Sequence, residues 1–462
     1  LGYSPEGGVG GVIAAMALVV IVAFGLAWVF TTVGLLMRSP NAVMNTGFMA
    51  LFPLLFISNA FVPPETLPSA LEAFVDVNPF SHLVTAARGL MDGNAETGDI
   101  FLVLGEAAVL TAVCEQVLPA LTRHGPITAW ILDDTGFPKK GTHSVGVARQ
   151  YCGQLGKQDN CQVAVSLSLA NDGGSLPVAF DLYLPEEWAN DPVRRATAGV
   201  PKTLAFRTKP QIALEQIRRA LADGLPPGVV LGDAAYGVET DFRTALTAVS
   251  LSYVLGVQST LGVWPPGCGP LPPKPWSGTG RRPKLQRRDA EHQPVSAKDL
   301  AVTLPPSAWQ TVSWRQGSRG DLSGRFAAVR VRPSHRDYWR AEPHPEEWLL
   351  IEWPAGDQEP SQYWLSTLPA ATTALVDLVH MAKLRWRIER DYQDLKQELG
   401  LDHYEGRGWR GFHHHATLCI AAYGFLVRER SLFPPQEQLR RPASALPPGW
   451  RPRGHPGSTG TS

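Results

Sequence analysis

Ala129-Trp-Ile-Leu-Asp-Asp-Thr-Gly-Phe-Pro-Lys-Lys-Gly141 carries an apolar run into two carboxylates, Asp133 and Asp134, and then into a Gly/Pro turn holding Lys139 and Lys140. The run predicts a short strand that delivers the acidic pair at its end. Gly228-Val-Val-Leu-Gly-Asp-Ala-Ala-Tyr-Gly237 repeats the pattern with a single carboxylate, Asp233. A third acidic site lies in Leu384-Arg-Trp-Arg-Ile-Glu-Arg-Asp-Tyr-Gln-Asp-Leu-Lys-Gln-Glu-Leu-Gly400, where helix formers dominate and Gly400 marks the end. On that helix Arg385, Glu389, Tyr392 and Lys396 share one face, and Leu384, Ile388, Leu395 and Leu399 form an apolar stripe beside it. The stripe is suited to anchoring the helix on a sheet while the polar face looks into a cleft.

Singly, each site has an ordinary reading. A strand-end Asp is commonly a turn or N-cap residue, and a helix face with Arg, Glu and Lys at helical spacing is commonly a solvated set of ion pairs. Together they suggest more. Two strand-end carboxylates and one helix carboxylate form a hard oxygen donor set suited to two Mg2+ or Mn2+ ions, the arrangement that serves phosphodiester chemistry.

The 462 residues leave room for several domains. The formal net charge is zero, but it is unevenly divided: residues 1–113 sum to −6 and the remainder to +6. A mildly basic second part fits a phosphate-binding surface. The five Cys include no CxxC pair, which argues against a structural zinc site, and their odd number at wide spacing suits a reducing cytosol. No GxxxxGK[ST] loop occurs, which excludes ATP hydrolysis by that route. Val9 to Met37 contains no charged residue and is long enough to span a bilayer. Ser39 to Pro64 is a second uncharged run, interrupted by Asn and Pro. These runs predict an N-terminal α-helical, membrane-type segment, with membrane association through residues 9–62. After Val113 charges become regular and short apolar runs alternate with turn residues, so the junction is placed there. From Ser431 the chain turns rich in Pro, Gly and Arg, a composition expected to be disordered.

Phe52-Pro-Leu-Leu-Phe-Ile-Ser-Asn-Ala-Phe-Val-Pro63 and Val77-Asn-Pro-Phe-Ser-His-Leu-Val-Thr-Ala-Ala-Arg-Gly-Leu90 resemble the closing half of an ABC-type drug-exporter permease. The later part resembles the DDE transposases of bacterial insertion sequences, in the group whose last helix carries a Tyr-Arg-Glu-Lys signature. Arg385, Glu389 and Lys396 fit the signature spacing, while its Tyr position is Ala382. The Asp-Asp-Thr-Gly-Phe-Pro-Lys-Lys-Gly and Gly-Asp-x-x-Tyr-Gly blocks, Tyr363-Trp-Leu-Ser-Thr-Leu-Pro369 and Gly400 through His415 also resemble that group.

The resemblance implies an α/β RNase H-like catalytic domain with a β-rich insertion. It divides the chain into a permease-like segment (1–113), the first part of the catalytic domain (114–254), the insertion (255–360), the last part of the catalytic domain (361–432) and a tail (433–462). It makes Asp233 and Glu389 the second and third catalytic, metal-binding carboxylates. The first is Asp133 or Asp134: the family pattern favours Asp133, and strand parity does not settle it. Arg385 and Lys396 would contact DNA phosphates, helped by Lys139 and Lys140, and by Arg281 and Arg282 in a Pro- and Arg-rich loop beside Trp276. The implied partners are transposon-end and target DNA and further copies of the chain, with the catalytic part in the cytoplasm. The permease-like segment stands where the family carries a DNA-binding region, so productive transposition is expected to be weak.

Overall fold

In a computed structural model of the chain, the structure describes residues 106–317 and 320–432, with a few helical positions between Val12 and Val84. Most of the two uncharged N-terminal runs, and the tail from 433, lie outside the described residues. Among the described residues no helix is long and apolar enough to cross a membrane.

In chain order the strands are β1 (Ala129–Pro138), β2 (Ala148–Cys152), β3 (Lys157–Ala170), β4 (Ser175–Leu182), β5 (Val229–Gly232), β6 (Tyr253–Val257), β7 (Gly262–Trp264), β8 (Val295–Ser296), β9 (Gln310–Gly317), β10 (Gly320–Pro333), β11 (Glu347–Glu352) and β12 (Gln362–Ser366). The helices are α1 (Glu106–Leu121), α2 (Glu186–Ala189), α3 (Pro192–Thr197), α4 (Lys209–Ala222), α5 (Ala234–Gly237), α6 (Thr240–Ala248), α7 (Ala297–Thr303), α8 (Leu375–Leu384), α9 (Trp386–Gln397) and α10 (Trp409–Leu432).

The strands form one mixed sheet in the order β2-β3-β1-β5-β6-β12-β11-β10-β7-β8, with β4 also on β3 and β9 on β10. β1 runs antiparallel to β3 and parallel to β5, and β5 runs parallel to β6. Trp130, Ile131 and Leu132 are wholly buried, as a strand covered on both faces requires. This mixed sheet flanked by helices is consistent with the RNase H-like class. β12 pairs with β6 on one side and with β11 on the other, so the strands between residues 255 and 360 continue the same sheet.

α1 runs unbroken through Val113, so the change in composition there is not a boundary in the fold. Cys114, Val117 and Leu121 are buried in the same core as Phe412, Ile420 and Tyr423 of α10, with Leu110 and Val113 packed against it. α4 begins at a capping box in which Thr208 and Gln211 bond each other's backbone N–H. The helix expected from Leu384 starts at Trp386 instead, with α8 ending at Leu384 and Arg385 at the joint. Its apolar stripe is as expected: Leu384, Ile388 and Leu395 are buried.

α9 is also tied down by a polar network that borders this stripe. Asp391, 1% exposed, accepts hydrogen bonds from Ser175 Oγ of β4 (2.6 Å) and Tyr423 OH of α10 (2.7 Å). Asp394 pairs with Arg390 (3.0 Å) and with Arg430 of α10 (3.1 Å). α8 is held to the insertion by Lys383, whose ammonium meets Glu352 at 2.7 Å within reach of the rings of Trp314 and Trp364.

This packing can be tested at two positions. A Cβ at Gly237 would run into the Gly256 carbonyl oxygen, which is backbone and has nowhere to go. Gly237→Ala is therefore expected to cost several kcal/mol (about 3 or more) and to lower the melting temperature sharply; an unchanged melt would contradict the close approach of α5 to β6. The second position titrates. Burial pushes the Asp391 carboxyl up from its ordinary 3.8 to about 6, against the bonds from Ser175 and Tyr423 and the nearby Arg387 charge. A folded-state pKa above the unfolded value means that stability falls as pH rises from about 4 to about 6. An asparagine side chain in its place would keep the acceptor without titrating. Urea unfolding should therefore show Asp391→Asn gaining about 3 kcal/mol on the parent between pH 4 and pH 7; a pH-independent difference would refute the assignment.

Candidate active site

The parallel pairing of β1 with β5 sets Ile131 opposite Leu231. Two residues further along each strand, the same register leads to Asp133 and Asp233. Neighbouring strands lie about 4.8 Å apart, so the two carboxylates come close together where β5 ends; β1 itself runs on beside β3 to Pro138, so Gly136 and Pro138, expected in a turn, are strand residues and the acidic pair lies mid-strand. Asp233 also caps α5, accepting the Ala235 N–H at 2.9 Å.

Arg385 connects this pair to the third acid. Its guanidinium donates to Asp133 Oδ2 at 2.8 Å and to Glu389 Oε1 at 3.1 Å. Its place at the joint between α8 and α9 lets it reach both the strand end and the first turn of α9. Burial opposes the Arg385 charge, but Asp133, Glu389 and Asp233 more than offset it, and its pKa is raised. Burial also pushes the Asp133 carboxyl up to about 7; Asp233 and Asp134 add to the rise, while Arg385 and the Asp134 N–H oppose it.

Asp134 faces the other way, as consecutive strand residues must. Its carboxylate pairs with Lys209 at the start of α4. Lys209 is not evident from the sequence, because nothing local links it to a partner 75 positions earlier. Tyr392, expected on the cleft-facing side of the helix, instead turns to the sheet. Its hydroxyl bonds Ser166 Oγ at 2.7 Å, and Ser166 is the β3 residue directly across from Asp133. α9 is thereby fixed beside the carboxylate that its own Glu389 must serve.

The other expected cations are dispersed. Lys396 donates to the Gly136 carbonyl (2.8 Å) and to Gln154 (3.1 Å), which commits it to the strand behind Asp133. Lys139 donates to the Tyr404 carbonyl. Lys140 is exposed, as are Arg281 and Arg282 in their loop. Among the neighbouring histidines, His413 bonds the Trp409 carbonyl (3.0 Å) and His415 the Gly400 carbonyl (2.9 Å), consistent with structural roles.

The chemistry of the donors suits a hard divalent cation: three carboxylates without thiolate or imidazole. The raised pKa of Asp133 marks a buried negative charge that its neighbours compensate only in part. Among the described residues no three acidic, His or Cys side chains already converge on one point. Arg385 lies between Asp133 and Glu389, and the Glu389 side chain is 65% exposed, which leaves it free to rotate toward the strand ends.

Residues 103–321 match the family model of the DDE superfamily endonucleases, and residues 1–91 match that of the ABC-2 type transporters. The DDE match includes Asp133 and Asp233 and ends before Glu389. The daunorubicin resistance ABC transporter permease protein of Streptomyces coeruleorubidus is 42% identical over 124 residues, 27% of this chain and 44% of that protein. The probable transposase for insertion sequence element IS701 of Microchaete diplosiphon is 36% identical over 130 residues, 28% of this chain and 31% of that protein. The chain thus spans less than half the length of either relative. Residues 1–91 are thus similar to the ABC-2 type transporters and residues 103–321 to the DDE superfamily endonucleases.

Proposed function

We propose that the chain is a DDE transposase that cleaves DNA strands at the ends of an insertion sequence and transfers them to a target. The observation that carries this reading is the register that sets Asp133, midway along β1, beside Asp233, just past the end of β5, with Arg385 joining Asp133 to Glu389. In this reading Asp133, rather than Asp134, is the first carboxylate, since Asp134 is committed to Lys209. Asp133, Asp233 and Glu389 would hold two Mg2+ or Mn2+ ions. Such ions activate water at a phosphodiester and stabilise the departing oxygen. Arg385 keeps Asp133 and Glu389 within reach of each other until the cations bind, and is then available to a DNA phosphate. Lys140, Arg281 and Arg282, all exposed, would contact the DNA backbone, while Lys139 and Lys396 support the turn and strand behind the site. A homo-oligomer would bring two transposon ends together.

The transporter-type match directly ahead of the catalytic domain favours weak recognition of terminal repeats, hence poor transposition despite intact chemistry. The same match favours membrane association through residues 9–62, with the catalytic part on the cytoplasmic side; transport by this segment with a separate ATPase is the alternative reading.

The purified full chain is expected to nick DNA carrying the element's own ends when Mn2+ is supplied. Asp233→Asn and Glu389→Gln should each lower the rate by about a hundredfold or more, several kcal/mol of barrier, without lowering the melting temperature. Undiminished cleavage by Glu389→Gln would sink the assignment.

A further inference from the structure

Trp339 is 63% exposed and Tyr338 43%, and the two rings stand side by side in solvent, 5.6 Å apart and nearly perpendicular. They belong to the short turn Asp337–Trp339 between β10 and β11. The turn is built to hold them there. Asp337, which opens it, is wholly buried, and its carboxylate accepts from the Trp264 indole N–H at 2.7 Å and from Arg288 at 2.7 Å and 3.1 Å. Arg288 also donates to the Ser334 carbonyl at 2.6 Å and lies over the Tyr338 ring at 5.4 Å. A buried carboxylate satisfied by such donors fixes the backbone of the turn, so the rings face outward from a rigid base. Leaving so much aromatic surface in water forgoes its burial, and packing gives no reason for it.

The surroundings are basic. Arg336, at the head of the turn, takes the left-handed conformation (φ 55°) that residues other than glycine and asparagine seldom adopt. Its guanidinium lies over the Trp339 ring at 5.6 Å. Arg340, on the other side, is exposed. Gln286 donates its N–H to the Arg340 carbonyl (2.9 Å) and its side-chain amide to the Ala341 carbonyl (2.7 Å), which ties the Pro- and Arg-rich loop to this turn. The turn also lies at the carboxylate end of the sheet. β5 and β6 run parallel, so the chain leaving β6 emerges on the side where Asp233 follows β5. That chain reaches Gly262, whose carbonyl accepts the Ser334 N–H at 3.0 Å. His335 Nδ1 lies 2.8 Å from Thr240 Oγ1, at the start of α6 and directly beyond the α5 turn that Asp233 caps.

We propose that Trp339, with Tyr338 beside it and Arg336 and Arg340 flanking it, is a binding site for single-stranded DNA, an unpaired base stacking on the indole while neighbouring phosphates meet the guanidinium groups. This rests on the reading of the chain as an enzyme that cuts DNA strands. A base within a duplex is already stacked on its neighbours, so the aromatic face adds affinity only for a strand whose bases are free.

The test is Trp339→Ala and Trp339→Phe in the full chain, read by fluorescence anisotropy with a labelled oligodeoxynucleotide of about 12 residues, single-stranded or annealed to its complement, without divalent metal. Trp339→Ala is expected to weaken single-strand binding roughly tenfold and duplex binding less than twofold, with Trp339→Phe recovering most of the loss and the melting temperature of both variants unchanged. Unchanged single-strand affinity in Trp339→Ala, or an equal loss on both forms, would overturn the inference and leave the DNA reading standing. A lowered melting temperature would also overturn it, by making the ring a packing residue. Loss of concentration-dependent self-association with DNA affinity retained would assign the face to a second copy of the chain instead. Failure of the parent chain to bind either form of DNA would remove the DNA reading and the inference together.

Discussion

Two like charges set side by side by neighbouring parallel strands repel, and much of the described fold exists to hold them there. The register of β1 on β5 fixes Asp133 beside Asp233 by backbone hydrogen bonds alone, before any side chain contributes. A single guanidinium then tempers the cost. Arg385 touches both the strand carboxylate and the helix carboxylate from the joint between α8 and α9, where its own backbone stays in the right-handed helical conformation.

The remaining polar contacts of α9 stop that helix from drifting. On the sheet side Ile388 and Leu395 are buried, and Tyr392 bonds the residue opposite Asp133. Beside them Asp391 and Asp394 bind α10 and the start of β4. A buried carboxylate is costly, and Asp391 shows that cost in its raised pKa. The network gives little net stability for its desolvation, but removing one partner would strand a charge. It specifies position more than it adds strength.

Much of this is legible in the sequence. Apolar runs leading into Asp point to the two strands, although β1 runs on past its acids to Pro138, and the spacing of Leu384, Ile388 and Leu395 points to the buried side of α9. The part that is not legible is long-range. Strand parity leaves Asp133 and Asp134 open, because β1 is buried on both faces and carries no alternation; their neighbours Arg385 and Lys209 separate them only once the chain is folded. Tyr392 shares the polar face by counting, yet its ring is large and apolar, and burial against β3 outweighs the pull of solvent on one hydroxyl. Lys396 and Lys139 read as phosphate contacts in the sequence, but each donates to a backbone carbonyl, that of Gly136 in β1 and that of Tyr404 in the loop before α10. The continuity of α1 through Val113 is hidden by the abrupt change in charge pattern there.

That continuity bears on where the chain tolerates a change of sequence. A helix docking on α10 asks of its partner only apolar side chains at helical intervals: Leu110 and Val113 ahead of the change in composition, Val117 and Leu121 after it. The match to the DDE superfamily endonucleases begins at residue 103, ahead of α1, so both pairs lie within it. Substitutions along α1 that keep those apolar positions leave the register of the downstream fold intact, whereas a cut inside β1 or β3 would remove hydrogen-bonding partners that no foreign stretch could replace.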